Sequence, residues 1–463
     1  MDKQNFYDLN FDQLKSFLIE KAEVDEKKAK MRAQQMFNAV YKKNIKNFDE
    51  LTTFGLELRE KIKNLISLKK PKIVDVQTSA DGTIKFLIQF DNNRQTETVL
   101  IPDKTKTRYT ICLSVSTGCH LSCQFCATAQ IPKKMVRNLM PSEIVTQIIL
   151  SKEYIDDWKT TKTVSNIVMM GQGENLLSIP NLSTFIKIVK DKNGLFYGRT
   201  RITISSVGLL NKVGEISAIE HVARELDVYL AWSLHSSLNS QRSELMAINK
   251  KFSINDLIPE LKKYYEITKL PIFIEYIALE DNLSDEHAKA LIKIMKKVPS
   301  KLNLIEYNPL ANRNFKAATK EKIDKLYGKL YGSFIVYITL VWLAYWVLLS
   351  SGDSYSGFDG ITNIVQHYFT PIVMIIDWLY TEKKRYEWNY YYIWSIYPTL
   401  YAISAILNGY LGLEYGYLYG FLDPSNPGGW LMTWSYVVGV YIFYTILAFS
   451  FIGINRKYLT NSP

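Results

Sequence analysis

Three of the four cysteines in this sequence lie in one short stretch, STGCHLSCQFCATAQ, at residues 116–130. Cys119, Cys123 and Cys126 follow one another at intervals of four and three residues, so their thiols share a single loop. Three thiolates can bind three irons of a [4Fe–4S] cluster and leave the fourth iron open for another ligand. A structural zinc site is the alternative, but such a site prefers four closed ligands, commonly from two separated pairs. The sequence contains no second pair of cysteines. His120 lies between Cys119 and Cys123, where its ring could hardly reach the same metal ion, so the spacing favours the cluster.

The distribution of cysteines also indicates the cellular compartment. Cys112, the fourth cysteine, lies just before the other three, and this clustering is unlike a secreted disulfide framework. The first residues include acidic side chains and no apolar core of a secretory signal. We therefore expect the cysteine-containing part in the cytoplasm, with its thiols reduced.

Net charge is unevenly distributed along the chain. Lys and Arg exceed Asp and Glu by 13 in residues 1–329, whereas residues 330–463 carry a net charge of −2. A basic excess of this size is compatible with binding a polyanion such as RNA, although many basic domains bind none.

The hydrophobic pattern of the first 330 residues predicts three segments that surround the cysteines. Residues 1–70 show helical periodicity and predict a helical domain. Residues 71–107 alternate between polar and apolar positions around the turn signals DG and DNN, which predicts antiparallel strands. In residues 108–330, apolar strand-like runs alternate with amphipathic helices, which predicts an α/β domain of βα units around a parallel sheet or barrel.

Residues 331–463 have a different composition that predicts a membrane domain. Four apolar segments are long enough to cross a bilayer: about twenty uncharged residues after Lys329, then residues 361–380, 391–412 and 430–454. Lys and Arg occur only in the loops on one side, so the positive-inside rule predicts four transmembrane helices with both termini cytoplasmic. The alternative is that these segments are core helices of a large soluble domain.

Several motifs together resemble a known enzyme family. The CxxxCxxC loop resembles that of radical S-adenosylmethionine (SAM) enzymes, and TICLSVSTGCHLSCQFCATAQ is similar to the RlmN/Cfr family of RNA methyltransferases. GQGENLL, ITISSVGLL, AWSLHSSLNSQRSELMAINKKF and EYNPL follow in the family's order, and the helical segment near the amino terminus resembles its RNA-binding domain. The resemblance covers about residues 5–326. It implies a partial (βα)6 radical SAM barrel that methylates C2 or C8 of adenine in 23S rRNA, with C2 of a tRNA adenine as a further target in one branch.

The resemblance also implies the cofactors, the partners and the site residues. The cofactors are a [4Fe–4S] cluster on Cys119, Cys123 and Cys126, and SAM. The partners are 23S rRNA, tRNA and an electron donor such as flavodoxin or ferredoxin. Of the two adenine positions, C2 is favoured over C8. The positions that match the family's SAM contacts are Gly173, Glu174, Ser205, Ser233, Leu234, His235 and Asn308.

Two further residues match positions that act after the radical has formed. Glu97 matches an acidic residue that serves as a proton acceptor, and Cys112 matches the resolving cysteine. From the residues alone, an exposed Glu at the end of a strand and a core Cys are the commoner interpretations. For the predicted SAM contacts the alternative is that they satisfy local backbone groups.

The chain departs from the family after about residue 326. In the family a second catalytic cysteine near the carboxyl terminus carries the methyl group, but this sequence has no cysteine after Cys126. Residues 332–463 instead resemble part of the androgen-induced-gene-like membrane proteins, through HYFTPIVMIIDWLY and FLDPSNPGGW. Three functions follow as alternatives: a radical SAM RNA methyltransferase, a radical SAM enzyme that cleaves SAM without transferring methyl, and a membrane protein with a vestigial soluble domain. The junction itself is either a true fusion or a gene-model join.

Overall fold

The computed structural model describes residues 3–349, 362–382, 385–412, 416–417 and 419–458. The predicted loop at residues 351–360 and Lys383 and Lys384 lie outside the described residues. The chain forms two compact units, Met1–Ala278 with Lys293–Lys316 and Leu279–Ile292 with Ala317–Pro463. The division into four functional domains stays a prediction.

The amino-terminal segment of the first unit is helical, as its periodicity predicts. Its helices are α1 (Phe11–Glu20), α2 (Glu26–Phe37) and α3 (Leu56–Leu65). A capping box between Asn10 and Gln13 starts α1 and satisfies amides that a helix amino terminus would leave unpaired. The short parallel strands β1 (Gln4–Asn5) and β2 (Ile66–Ser67) pair with each other, and they are too short for a periodic signal in the sequence.

A nine-stranded sheet forms the centre of the first unit. In the described residues its strand order is β13-β12-β11-β8-β7-β6-β5-β4-β3. Six neighbouring strands are parallel: β6 (Arg108–Cys112), β7 (Thr163–Met169), β8 (Ile202–Ser206), β11 (Tyr229–Ser233), β12 (Ile272–Ala278) and β13 (Ser300–Glu306). Three antiparallel strands extend the sheet: β3 (Lys72–Thr78), β4 (Ile84–Gln89) and β5 (Gln95–Pro102). The segment at residues 71–107 is therefore part of the same sheet and not a separate hairpin.

Helices follow the parallel strands, as the βα pattern predicts. They are α4 (Pro141–Tyr154), α5 (Ile179–Lys190), α6 (Ala218–His221), α7 (Asn239–Leu245), α8 (Ile254–Thr268) and α9 (Asp285–Lys297), and a small hairpin of β9 (Lys212–Val213) and β10 (Ile216–Ser217) precedes α6.

The two faces of the sheet have different environments. Thr98 of β5 donates a hydrogen bond to Gln147 of α4 at 2.7 Å, so α4 covers the face to which Thr98 belongs. Because side chains alternate along a strand, Glu97 and Val99 lie on the opposite face. Cys112 is the register partner of Val99 and belongs to the same face. We call this opposite, partly exposed face the inner face.

The second unit contains the carboxyl-terminal helices. They are α10 (Lys320–Ala344), α11 (Thr370–Thr381), α12 (Tyr390–Trp394), α13 (Ile396–Tyr410) and α14 (Gly429–Tyr458). Two described helical stretches, Lys320–Val347 and Gly429–Tyr458, are long and apolar enough to cross a membrane. The third predicted span is divided at Ser395 between α12 and α13, and the second begins outside the described residues. The four-helix transmembrane bundle therefore stays a prediction.

Candidate active site

The loop with the three cysteines begins directly after β6 and is fixed by the segment that follows it. The amide of Thr117 donates to the carbonyl of Arg137 at 3.0 Å, and the Thr117 hydroxyl donates to the carbonyl of Met135 at 2.8 Å. The Lys133 ammonium donates to the carbonyl of Cys119 at 2.7 Å. The loop thus keeps a defined path although it contains no regular secondary structure between residues 117 and 126.

The three thiols are free, and each is partly buried. Burial raises the pKa of Cys119 to about 11 and that of Cys123 to about 12. The other two thiols and Glu174 raise the pKa of Cys123 further, whereas Arg242 opposes the shift. The loop therefore brings the three sulfurs into one electrostatic neighbourhood, in which a bound cation would favour the thiolate forms.

The number and position of these thiols suit a cluster better than a single zinc ion. A structural zinc site prefers four closed ligands. A four-iron cluster binds each thiolate through a different iron, so three thiolates from one loop can hold three of its irons.

The GQGE loop after β7 packs directly against the start of the cysteine loop. The carbonyl of Gln172 accepts hydrogen bonds from the amides of Val115 at 2.9 Å and Ser116 at 3.1 Å. Gly173 has φ +107°, and a Cβ atom at this position would lie 2.7 Å from Cβ of Ser116. Only glycine meets both conditions, because it tolerates positive φ and leaves room for the neighbouring backbone. Gly173 is thus explained by packing, and its predicted contact with SAM stays a prediction.

Glu174 is nearly fully buried next to this junction. Its Oε1 atom accepts from the amide of Leu176 at 3.1 Å, and its Oε2 atom accepts from the amide of Val207 at 3.0 Å. Burial raises the pKa of Glu174, and the hydrogen bonds partly oppose that shift. The Ser206 side chain donates as well. A carboxylate has about four lone-pair sites, so these three donors leave capacity for one more, such as an ammonium group.

The residues predicted on β8 and β11 come together at the ends of these strands. The hydroxyl groups of Ser205 and Ser233 are 3.2 Å apart, within hydrogen-bond distance. The amide of Leu234 donates to the carbonyl of Glu275 at 3.0 Å, and the Leu234 side chain is fully buried.

His235 connects this group to the cysteine loop. Its ring packs edge-on against Phe125, which lies between Cys123 and Cys126, with ring centroids 4.9 Å apart. Its Nδ1 atom accepts from the amide of Ile277 at 3.2 Å, which requires an unprotonated Nδ1. Burial lowers the pKa of His235 to about 3, with a smaller effect from Arg242. The backbone of His235 has φ +58°, a conformation that costs a residue with a Cβ atom about 1–2 kcal/mol.

Of the remaining predicted residues, Asn308 and Glu97 are more exposed, whereas Cys112 is partly buried. Asn308 is exposed two residues after β13 ends. Glu97 pairs with Lys85 at 3.1 Å on the inner face. Cys112 lies on the same face in the next strand, diagonal to Glu97, and such diagonal neighbours are about 7–8 Å apart. Burial raises the pKa of Cys112 to about 11.

A buried arginine that was not among the predicted site residues organises the site. Arg242 of α7 has no solvent exposure and donates to Asn249 at 2.6 Å, to the carbonyl of Val207 at 2.6 Å and to the carbonyl of Leu234 at 3.0 Å. It therefore ties the loop after β8 to the loop after β11. Arg242 and Asn249 both lie in the motif AWSLHSSLNSQRSELMAINKKF, but the motif does not show this role, because the other partners of Arg242 are backbone carbonyl groups of distant segments.

The chain is similar to known proteins in both sequence and structure. Residues 4–68 match the family described as "Ribosomal RNA large subunit methyltransferase N-terminal domain". The chain is 34% identical over 343 residues to the dual-specificity RNA methyltransferase RlmN of Rhizobium meliloti (strain 1021), with 70% of this chain and 81% of that protein covered. It is 36% identical to the protein of the same name from Agrobacterium fabrum, with 65% and 76% covered.

A solved structure agrees with the sequence relatives. The crystal structure of a radical SAM methyltransferase from Sphaerobacter thermophilus superposes with a TM-score of 0.62 and 29% sequence identity. The match covers 70% of this chain and 91% of that chain.

Proposed function

Because the chain belongs to the RlmN family of RNA methyltransferases, we propose that it is a radical SAM enzyme of the type that methylates C2 of adenine in 23S rRNA and tRNA, without the cysteine that carries the methyl group in that family. The family membership confirms the enzyme class predicted from the motifs and implies SAM and a [4Fe–4S] cluster as cofactors. The RNA targets, the C2 position and an electron donor such as flavodoxin or ferredoxin are parts of the proposal.

One structural observation carries the proposal. The cysteine loop is held between two neighbours: the GQGE loop, through Gln172 and Ser116, and the end of β11, through His235 and Phe125. Three thiols, a buried carboxylate and two hydroxyl groups therefore belong to loops and strand ends at one edge of the parallel sheet, which supports the proposal. Ligands of parallel α/β sheets bind at the carboxyl ends of the strands, which is where this group lies.

The residues have separate roles in the proposed site. Cys119, Cys123 and Cys126 would hold the cluster, which supplies an electron for the cleavage of SAM when it is bound. Glu174 would accept hydrogen bonds from the ammonium group of SAM. Ser205, Ser233, Leu234, His235 and Asn308 would bind the rest of the cofactor, with Gly173 allowing the close approach.

Glu97 and Cys112 would act on the RNA and not on SAM. Both lie on the inner face, where Glu97 is half-exposed and pairs with Lys85, and a positioned carboxylate can accept a proton from a substrate. The proposed assignment is therefore that Glu97 removes the adenine proton and Cys112 serves as the resolving thiol.

The chain lacks the cysteine that carries the methyl group in the family, and this limits the reaction that it can complete alone. No cysteine occurs in residues 127–463, so the carrier thiol that the family resemblance requires has no counterpart there. A covalent transfer step cannot proceed without its nucleophile. We therefore expect the isolated chain to cleave SAM and to leave RNA unmethylated.

A direct experiment tests these statements together. The full chain is reconstituted anaerobically with iron and sulfide, and 5′-deoxyadenosine and methylated adenine are measured with ribosomal and transfer RNA present. We expect cluster absorption and 5′-deoxyadenosine from the chain, and neither from a variant in which all three cluster cysteines are Ala. Failure to form a cluster would refute the proposed site. Methyladenine formation would refute the requirement for the carrier thiol.

A second proposal concerns the carboxyl-terminal unit, which we propose is integral to the membrane. Helix α10 runs without a break through residue 330, where the two family resemblances meet. On one side of that point Asp324 pairs with Arg385 at 3.1 Å and Lys325 pairs with Glu387 at 3.2 Å. Asp324 and Lys325 precede the apolar half of α10, and Arg385 and Glu387 lie between α11 and α12, so both ion pairs are at the end where the span is expected to leave the cytoplasmic interface.

Fractionation tests the membrane proposal independently of catalysis. The protein should stay in the membrane pellet after alkaline carbonate extraction, and protease added to the cytoplasmic side should remove the amino-terminal part. Release by carbonate would refute an integral membrane domain. Sequencing reads that cross codons 325–335 in one frame would support a true fusion, and their absence would indicate a gene-model join.

A further inference from the structure

A row of polar side chains crosses the inner face next to the predicted SAM residues. Ser233, Glu275 and Asn303 are register partners on the neighbouring parallel strands β11, β12 and β13. Register partners point to the same face, and Ser205 joins the row through its contact with Ser233. Two members of the row, Ser205 and Ser233, match SAM contacts of the family, whereas Glu275 and Asn303 have no assigned role.

Glu275 is the unusual member of this row because it is a carboxylate with only 5% solvent exposure. Its Oε2 atom accepts a hydrogen bond from the Asn303 side-chain amide at 2.7 Å. Among the described residues, this is the one hydrogen bond that the Glu275 carboxylate accepts, so its Oε1 atom can still accept another. Burying a carboxylate with one neutral donor is costly, which favours a further donor that completes the site.

The backbone of Glu275 is already part of the predicted SAM site. Its carbonyl oxygen accepts from the amides of Leu234 at 3.0 Å and His235 at 3.2 Å. The side chain is therefore fixed relative to two residues that match SAM contacts, and small displacements of one would move the other.

The position of β12 shows why a ligand that spans the predicted contacts must cross this strand. The predicted contacts come from the ends of β7, β8, β11 and β13, but not from β12, which lies between the last two. Neighbouring strands are about 4.8 Å apart, so a molecule that reaches from Ser233 to Asn308 crosses about 10 Å over β12. Glu275 lies where this path begins, because it is the register partner of Ser233.

The chemistry of the carboxylate selects the part of SAM that it meets. An ionised carboxylate only accepts hydrogen bonds, and the donors of SAM are its ammonium, its ribose hydroxyls and the adenine amino group. The ammonium is proposed at Glu174, after β7, and β7 and β12 are three strand spacings apart, or about 14 Å. The two adjacent ribose hydroxyls match the two oxygens of a carboxylate between Ser233 and Asn308.

We propose that Glu275 is a further SAM-binding residue whose carboxylate accepts hydrogen bonds from the ribose hydroxyls, and that Asn303 positions it. The inference rests on the proposed function, because it assumes that SAM occupies this edge of the sheet.

The test compares SAM with analogues that lack the 2′- or the 3′-hydroxyl. Dissociation constants are measured by titration calorimetry on the cluster-reconstituted full chain in detergent. For the wild type we expect at least one deoxy analogue to bind about 10- to 100-fold more weakly than SAM, the usual effect of losing a hydrogen bond to a charged group. In Glu275→Gln, SAM binding should weaken by a similar factor and the preference over the analogue should fall to within about threefold. Asn303→Ala should give an intermediate loss.

The controls separate the possible failures. Glu244→Gln changes an exposed glutamate on α7 and should bind SAM and the analogues as the wild type does. Unchanged SAM affinity and unchanged discrimination in Glu275→Gln would overturn the inference alone. Equal binding of SAM and both deoxy analogues by the wild type would also overturn it, even if Glu275→Gln misfolds. A wild type that contains its cluster but binds no SAM would overturn the proposed function and the inference with it.

Discussion

The contact between the GQGE loop and the cysteine loop gives the sharpest prediction, which concerns Gly173→Ala. The new Cβ atom would lie 2.7 Å from Cβ of Ser116 and 2.9 Å from Cγ2 of Val115, closer than such atoms approach in proteins. The backbone at Gly173 also has φ +107°, which a residue with a Cβ atom rarely adopts. The backbone strain costs about 1–2 kcal/mol. Overpacking adds about 1–3 kcal/mol. We therefore expect the variant to lose about 2–5 kcal/mol of unfolding free energy.

Gly198→Ala is the matched control for this substitution. Gly198 has φ −68°, and no atom lies within 4 Å of a Cβ built there, so Ala should change stability little. Both variants are compared by urea unfolding of the full chain in detergent and by iron content after anaerobic reconstitution. Gly173→Ala should lower both the unfolding midpoint and the iron bound per chain, because Ser116 and Val115 lead into the cysteine loop. Equal midpoints and equal iron contents for the two variants would refute the reasoning.

Three further predictions test other contacts. Arg242→Met should destabilise the chain by about 3–5 kcal/mol, because it leaves buried carbonyl groups without donors. The control Arg224→Met removes a half-exposed ion pair and should cost less than about 1 kcal/mol in the same urea unfolding assay. Similar losses in the two variants would contradict the proposed role of Arg242. The pKa of His235 is about 3 in the folded chain, below its ordinary value. Below about pH 6.5 the unfolded chain therefore binds more protons at this residue than the folded chain does. His235 should thus lower the unfolding free energy by about 1.4 kcal/mol per pH unit as the pH falls from about 6.5 to about 4. His235→Gln should show a smaller slope in urea unfolding at several pH values, and an unchanged slope would exclude His235 as its source. In the carboxyl-terminal unit, a Cβ atom at Gly332 would overlap the ring of Trp394, whereas Gly439 has open space around it. Gly332→Ala should therefore lower the thermal unfolding temperature in detergent, and Gly439→Ala should not. The reverse order of unfolding temperatures would contradict this packing.

Much of the fold could be predicted from periodicity in the sequence. The amino-terminal helices, the antiparallel strands of residues 71–107 and the six parallel strands with helices between them all left a local hydrophobic pattern. The sequence did not predict that β3, β4 and β5 extend the parallel sheet, because alternation shows that a strand has two faces but not which strand it pairs with. The sequence also did not predict the break between α12 and α13 at Ser395, since the residues around it remain apolar.

The sequence by itself determined the cluster motif and the family, because Cys119, Cys123 and Cys126 lie within one loop and their spacing alone limits the metal centre. Only the tertiary structure decided which distant residues surround that loop. Gly173 against Ser116, His235 against Phe125, Arg242 across two loops and Glu275 beside Ser233 each join segments that are far apart in the chain. Their positions depend on strand order and register, which result from packing of the whole sheet and not from local composition.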